Sequence, residues 1–264
     1  MSATDLVTVA PEIQRDRWGR PLIAPPDGSK PVAYTRATTL AGTMDDLYGL
    51  MGWKVRTAAL GLADRPDLQL AITTNRGNKK ALDKICEQAL EAGGATAAAT
   101  TGTALHTLTE QLDRGEELPT VPDHVAADVE AYRKATAQLE HLAIEQFTVC
   151  DELQVAGTPD RIVRWQGGNY IADLKTGQNI QYGLHKIALQ LAIYSRSVAY
   201  DTATGQRTAL PDVNQSNAIV IHAPAGSGKA ELLWINISAG WDAVDLAMQV
   251  RSWRKAKNLS VPFV

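Results

Sequence analysis

Two adjacent glycines, Gly167 and Gly168, lie between two short runs of β-forming residues, RIVRW and NYIADLK, and this segment constrains the fold more than any other. A Gly-Gly pair between such runs predicts a tight two-residue hairpin loop. With the glycines at the loop centre, Trp165 pairs with Tyr170, Ile162 with Asp173 and Asp160 with Lys175. Directly opposed residues share a face, and side chains alternate along each strand. Asp160, Asp173 and Lys175 therefore project from one face while Leu174 points the other way. A one-residue bulge would undo that register.

Two carboxylates and an ammonium on one strand pair have a plain reading, a solvated salt-bridge patch, and a chemical one. Ile162, Val163, Ile171 and Ala172 are apolar, which places the hairpin in the middle of a sheet rather than on a wet surface. The charged ends of both strands run into turns, at Gly157-Thr158-Pro159 and at Thr176-Gly177, where clefts form. Burying unpaired charge is costly, so a bound cation is a natural solution. Paired carboxylates suit a hard, oxygen-loving cation such as Mg²⁺ or Mn²⁺. Such a cation relieves charge on a phosphodiester, and a lysine beside it stabilises the transition state.

Along the rest of the chain, residues 1–42 are rich in Pro, Gly and charge and read as an irregular arm with room for short strands. Thr43 reads as a helix cap with Asp45 and Asp46 in the first turn, and the helix runs to about Leu62. Asp64-Arg65-Pro66 reads as a breaker. A second helix starts near Asn78 and buries Leu82, Ile85, Cys86 and Ala89 as one stripe before ending at Gly93-Gly94. A third spans about Thr101 to Arg114, with Leu105, Leu108 and Leu112 on its apolar face. A fourth runs from near Pro122 to about His141. Short β-rich segments follow, IEQFTVC, LQVAGTPDRIVRW and NYIADLK. Helical periodicity returns from about Gln181 to Tyr200. NAIVIHA and ELLWINI read as a hairpin, and a last helix starts near Gly240. This order predicts an α/β fold with a mixed central sheet flanked by helices and a helical N-terminal portion. Residues 43–264 read as one domain: a helical part over about 43–142, a core over about 100–235 and a basic helix over about 240–258.

At 264 residues and 45% hydrophobic the chain can bury a sizeable core without disulfides. Cys86 and Cys150 are its only cysteines and form no C-x-x-C pattern, so a reducing compartment is expected. A formal net charge of -3 gives no global mark of a nucleic-acid binder, but a local basic groove is compatible with it. No apolar run approaches ~20 residues, so no membrane span is expected. MSATDLVTVAPEIQRDRWGR lacks the layout of a secretory signal, which makes the cytoplasm the default location.

Two further elements flank the hairpin. Gln190 and Tyr194 lie one turn apart on one face of the following helix. Gly102 and His106 stand likewise on the helix before the strands, with His106 at the edge of the leucine stripe. Pro159-Asp160, Asp173-Leu174-Lys175-Thr176-Gly177, Gln190-x-x-x-Tyr194 and Gly102-x-x-x-His106, in this order, resemble the signature of the PD-(D/E)xK nuclease superfamily, in its RecB-like branch. The resemblance covers about residues 100–235. The N-terminal hundred residues are similar, more weakly, to actinobacteriophage members.

The resemblance implies a restriction-endonuclease-like core and a Mg²⁺- or Mn²⁺-dependent deoxyribonuclease. An exonuclease in phage DNA metabolism, recombination or repair would suit it, working in the host cytoplasm if phage-encoded. Asp160 and Asp173 would hold the metal with the backbone carbonyl of Leu174, and His106 would complete the shell. Lys175 would be the catalytic lysine. Gln190 and Tyr194 would contact DNA or brace the site. Glu152 would be an outer-shell or second-metal ligand. Members with an iron–sulfur cluster use four cysteines, so none is expected here. A DNA-binding or assembly protein on a nuclease fold that no longer cuts is the alternative.

Taken singly, His106 reads as a core or surface histidine and Tyr194 as core-facing. Glu110 reads as solvated, and His124, His141, His185 and His222 as structural or exposed. Ala223-Pro-Ala-Gly-Ser-Gly228-Lys229 looks like a phosphate-binding loop, but Ala230 replaces the required Ser or Thr and a strand follows, so a hairpin turn is expected. Arg76, Lys79 and Lys80, and Arg251, Arg254, Lys255 and Lys257, are basic clusters that suit either a DNA backbone or a solvated helix face. Trp253 makes the last helix, through Arg254 and Lys255, the better DNA candidate.

Overall fold

The computed structural model describes residues 13–257 and 259–263. The N-terminal segment holds strands β1 (Leu22–Ile23), β2 (Val32–Ala33) and β3 (Thr35–Arg36), then helix α1 (Ala37–Ala41). A helical stretch follows: α2 (Tyr48–Ala63), α3 (Pro66–Thr74), α4 (Lys79–Ala92), α5 (Ala95–Asp113) and α6 (Asp123–Thr136). Next come β4 (Glu140–Ile144), β5 (Thr148–Cys150), β6 (Val155–Gly157), β7 (Arg161–Trp165) and β8 (Gly168–Lys175). The chain continues through α7 (Leu184–Ser195), β9 (Val198–Tyr200), β10 (Arg207–Thr208), β11 (Asn217–His222), β12 (Glu231–Asn236) and α8 (Ile237–Trp253).

The β7–β8 hairpin is present, with its turn one residue earlier than the glycine pair suggests. Gln166 (φ 47°) and Gly167 (φ 81°) both take left-handed angles, as a type I′ turn requires. Trp165 therefore faces Gly168, Ile162 faces Ile171 and Arg161 faces Ala172. The expected pairs Trp165/Tyr170, Ile162/Asp173 and Asp160/Lys175 are each displaced by two positions. Continued one residue further, the observed register sets Asp160 opposite Asp173. A slip of two leaves every side chain on its face, so the shared face of Asp160, Asp173 and Lys175 survives.

The hairpin lies inside a five-stranded mixed sheet of order β12-β11-β8-β7-β4, with β8 in the centre and parallel to β11. Ile171 to Leu174 are all buried, because both faces of the sheet are covered. Ile162, Ile171, Ala218 and Val220 pack with residues of α1, α7 and α8. Val163, Ala172, Leu174, Ile219 and Ile221 pack with Leu105 and Leu108 of α5 and Val129 and Tyr132 of α6. Each fully buried Leu or Ile contributes about 1.5–3 kcal/mol.

A second mixed sheet, β10-β9-β5-β6-β3, was not expected from the sequence. Its strands are two or three residues long, below the length at which alternation shows. The helix expected to reach Tyr200 ends at Ser195, where Ser197 Oγ hydrogen-bonds the Ile193 carbonyl, and Val198–Tyr200 becomes β9. The helix expected to reach His141 ends at Thr136, and EHLAI is strand β4. Pro66 opens α3 instead of breaking the chain, since its missing N–H costs nothing at a first helical position. Thr43 lies in a 3-10 turn, and α2 begins at Tyr48, whose N–H is bonded by Asp46. Cys86 is exposed, not core: α4 is centred on Ile85 and Ala89, and Cys86 is rotated off that face. Of the arm expected over residues 1–42, the first twelve lie outside the described residues; within 13–42, β3 joins the second sheet and Ala37, Leu40 and Ala41 enter the main core, so this part is not an irregular arm. Among the described residues no helix is long and apolar enough to cross a membrane.

Candidate active site

Asp160 and Asp173 meet where β7 and β8 leave the sheet, between α7 on one face and α5 on the other. Asp160 Oδ2 accepts a hydrogen bond from the Leu174 amide at 2.7 Å, which fixes the carboxylate beside β8. In an extended strand the N–H and C=O of one residue point the same way. The Leu174 carbonyl thus faces the Asp160 side, away from β11. Asp173 is 3% exposed, and its Oδ2 pairs with Lys175 Nζ without any well-directed hydrogen bond.

The electrostatics follow from this crowding. Burial, and then the Asp160 charge, push the Asp173 carboxyl up to about 6. Burial also raises Asp160, against the pull of the Leu174 amide and Lys175. Burial works against the Lys175 ammonium, but Asp173 and Asp160 outweigh it and hold the lysine above its ordinary value. Lys175 thus serves both carboxylates, and the Arg161 guanidinium stands beside Asp160, its Nη1 3.9 Å from Oδ2.

His106 Nδ1 lies 3.5 Å from Asp160 Oδ2. Burial lowers its pKa despite the Asp173 charge, which favours the neutral, ligand-competent imidazole. Gly102 explains how α5 comes so close. A Cβ there would stand 2.6 Å from Thr176 Oγ1, so glycine lets the helix rest on the end of β8 one turn from His106.

On the other face, Gln190 Nε2 donates to Tyr194 Oη at 3.2 Å, and both side chains are buried. A Cβ at Gly157 would stand 2.8 Å from the Tyr194 ring, so this close packing needs glycine. Burial raises the Tyr194 pKa, and Asp173, Asp160 and Glu145 add to it, which places the phenol beside the carboxylates.

The sequence reading missed two contributors. Glu145 follows β4 in a left-handed conformation (φ 52°), and its amide donates to the Asp160 carbonyl at 2.9 Å. The residue reaches solvent, yet burial of its carboxyl end, then the charges of Asp160 and Glu110, push it up to about 7. An acid at the end of an apolar strand was its signal. Arg161 is 1% exposed and binds Asp113 Oδ2 through Nε at 2.5 Å and Thr109 Oγ1 through Nη2 at 2.9 Å. Asp113 also accepts from Tyr132 Oη at 2.7 Å and lies 3.4 Å from His141 Nδ1. This buried network locks α5 to β7 directly behind Asp160.

Other expected site residues stand apart. Glu152 is exposed in the 151–154 turn, at the opposite end of the β5–β6 hairpin from Gly157, and does not join the carboxylates. Arg254 and Lys255 end α8 in the open. Lys255 lines a groove with Arg20, Thr35 and Arg251 at the β3 edge, with no contact to the cluster among the described residues. Glu110 pairs with Arg114 at 2.8 Å. The loop after β11 is no phosphate site: the Gly226 and Gly228 amides both bind the Asp128 carboxylate, at 2.5 and 2.7 Å. Its backbone pins α6 to the sheet.

The donor set suits a hard divalent cation in kind: two crowded carboxylates with raised pKa values, a Leu174 carbonyl facing them and a neutral histidine. No three His, Cys, Asp or Glu side chains are gathered as a ready-made cage among the described residues. Lys175 is paired with Asp173 instead. Compared with models of known protein families and with curated proteins, the sequence matches none.

Proposed function

We propose that this protein is a Mg²⁺- or Mn²⁺-dependent DNA nuclease of the RecB-like PD-(D/E)xK kind, acting as an exonuclease in recombination, repair or phage DNA metabolism. The observation that carries the reading is the buried Asp173, paired with Lys175 and crowded by Asp160 at one strand end. A structural salt bridge needs one carboxylate per ammonium. A second, largely buried carboxylate crowded against this pair, offset only by the more distant Arg161 guanidinium at 3.9 Å, costs free energy that a divalent cation would recover.

Asp160, Asp173, the Leu174 carbonyl and His106 would hold the cation, which when bound relieves phosphate charge and acidifies water. Lys175 supplies positive charge to the phosphate oxygens as negative charge builds in the transition state. The Leu174 amide orients Asp160 and favours its ionised form against burial. Gln190 and Tyr194, being buried, brace the cluster rather than grip DNA. DNA as the substrate rests on the four-part motif and its order. The alternative, a DNA-binding protein that no longer cuts, would be expected to have lost one of Asp160, Asp173 or Lys175, and all three are present.

Because the Asp173 carboxyl is pushed up to about 6, and burial raises Asp160 as well, protonation of Asp173 competes with the metal just below neutrality. Mn²⁺ affinity measured by calorimetry should be full above about pH 7. It should fall as pH drops through 6 and Asp173 takes up a proton, by about tenfold per unit. Affinity unchanged between pH 5 and 8 would place the metal elsewhere.

A further inference from the structure

Arg251 is half-buried without a carboxylate. The other arginines that leave water in part or whole are each answered. Arg20, Arg65, Arg161 and Arg207 bind Asp16, Asp67, Asp113 and Asp151. Arg196 binds the Ala192 and Gln215 carbonyls. Among the described residues the Arg251 guanidinium makes one hydrogen bond, from Nη2 to the Thr35 hydroxyl at 3.4 Å, and its other N–H donors are unfilled. Drying a guanidinium in part while leaving its donors unmet costs free energy, so the arrangement calls for an anion.

The place for one is the groove at the β3 edge. Its volume is about 320 Å³, room for a tetrahedral oxyanion with water around it. Arg251 and Ser252 enter it from the last turn of α8, and Lys255 from the turn that follows. Thr35 enters from the edge strand β3 and Gln154 from the β5–β6 turn. Among the described residues Lys255 makes no ion pair, and no Asp or Glu lines the groove. Arg20, its third cation, is already held by Asp16. The partial negative charge at the end of α8 draws cations there, but it fills none of the free Arg251 donors. A planar fork beside a compact ammonium, with two hydroxyls and an amide around them, is a donor set for phosphate oxygens.

Strand β6 leads from this groove to the carboxylates. Gln154 lies just before β6, and Gly157 at its other end packs on Tyr194 beside the cluster. Three residues of strand span roughly 10 Å, about the length of three nucleotides in one strand of a duplex. We propose that Arg251 and Lys255, with Thr35 and Ser252, form a phosphate site that holds the DNA backbone a few nucleotides from the bond that is cut. The site rests on the reading of DNA as the ligand of this protein.

Binding of a labelled duplex, read by fluorescence anisotropy in EDTA so that nothing is cut, tests it. Arg251→Gln combined with Lys255→Gln should weaken binding roughly tenfold at about 0.1 M salt and lower the slope of log K against log salt by about one to two. Melting should stay that of wild type, since neither side chain holds a buried partner. Arg133→Gln combined with Lys134→Gln removes the same charge from cations already paired with Glu130, and should change affinity by no more than about twofold. Wild-type affinity and salt slope in the first variant, or an equal loss in the second, would overturn the groove and leave the nuclease reading standing. The expected losses in a protein that binds DNA but never cuts it would sustain the groove and overturn only the nuclease reading. A wild-type chain that binds no DNA would overturn both.

Discussion

Asp173→Ala and Lys175→Ala should each lower hydrolysis of linear DNA by about a thousandfold or more, in line with losing a metal ligand or a transition-state cation. Asp173 is buried at the carboxylate crossing and faces Lys175 and Asp160, with no solvent to replace it. Lys175→Arg is expected to rescue little, because a planar guanidinium cannot occupy the place of a compact ammonium. Circular dichroism and melting of both alanine variants should remain cooperative, since the apolar neighbours Ile171, Ala172 and Leu174 still fill the core. Normal digestion by either variant would rule out the assigned roles.

The largest stability effect is expected behind the site. Arg161→Met leaves the Asp113 carboxylate, 3% exposed, without its guanidinium partner. Removing one member of a buried ion pair costs about 3–5 kcal/mol. At about 2–4 °C per kcal/mol for a chain of this size, the midpoint should drop by roughly 6–20 °C. Asp113→Asn should cost less, because Arg161 keeps Thr109 and the Asp160 carboxylate 3.9 Å away, and the amide oxygen can still accept from the Tyr132 hydroxyl. Arg161→Met should also lower activity in the molecules that remain folded, since α5 carries both Thr109, which binds Arg161, and His106, which faces Asp160. A melting point within 2–3 °C of wild type would show that the network is not holding α5 to the sheet.

The parts visible in the sequence were those set by period and by local chemistry. The strand period of two put Asp160, Asp173 and Lys175 on one face, and the one-residue shift of the turn, which slips the pairing by two, left that face untouched. The helical period put Gln190 beside Tyr194, and it put Gly102 one turn before His106. What stayed hidden depends on distant partners. Glu145 reaches the carboxylates because the chain leaving β4 pairs with Asp160, while Glu152 sits in the turn at the far end of the β5–β6 hairpin, and neither residue's neighbours in sequence reveal that. Arg161 looked like an ordinary strand residue until α5 supplied Asp113 and Thr109. The second sheet escaped because strands of two or three residues exist only through their pairings. Cys86 was misplaced for a related reason: a stripe four residues wide on paper is narrower once α4 packs through Ile85 and Ala89.

The central claim is that the Asp160–Asp173–Lys175 cluster cuts DNA. Its most direct test is incubation of the purified chain with end-labelled linear DNA, single- and double-stranded, with Mg²⁺ or Mn²⁺ and then with EDTA. The cluster predicts metal-dependent release of short labelled products that EDTA stops and Asp173→Ala abolishes. Intact DNA of every form, from a folded protein that still retains it on a gel, would contradict the claim and leave a DNA-binding protein.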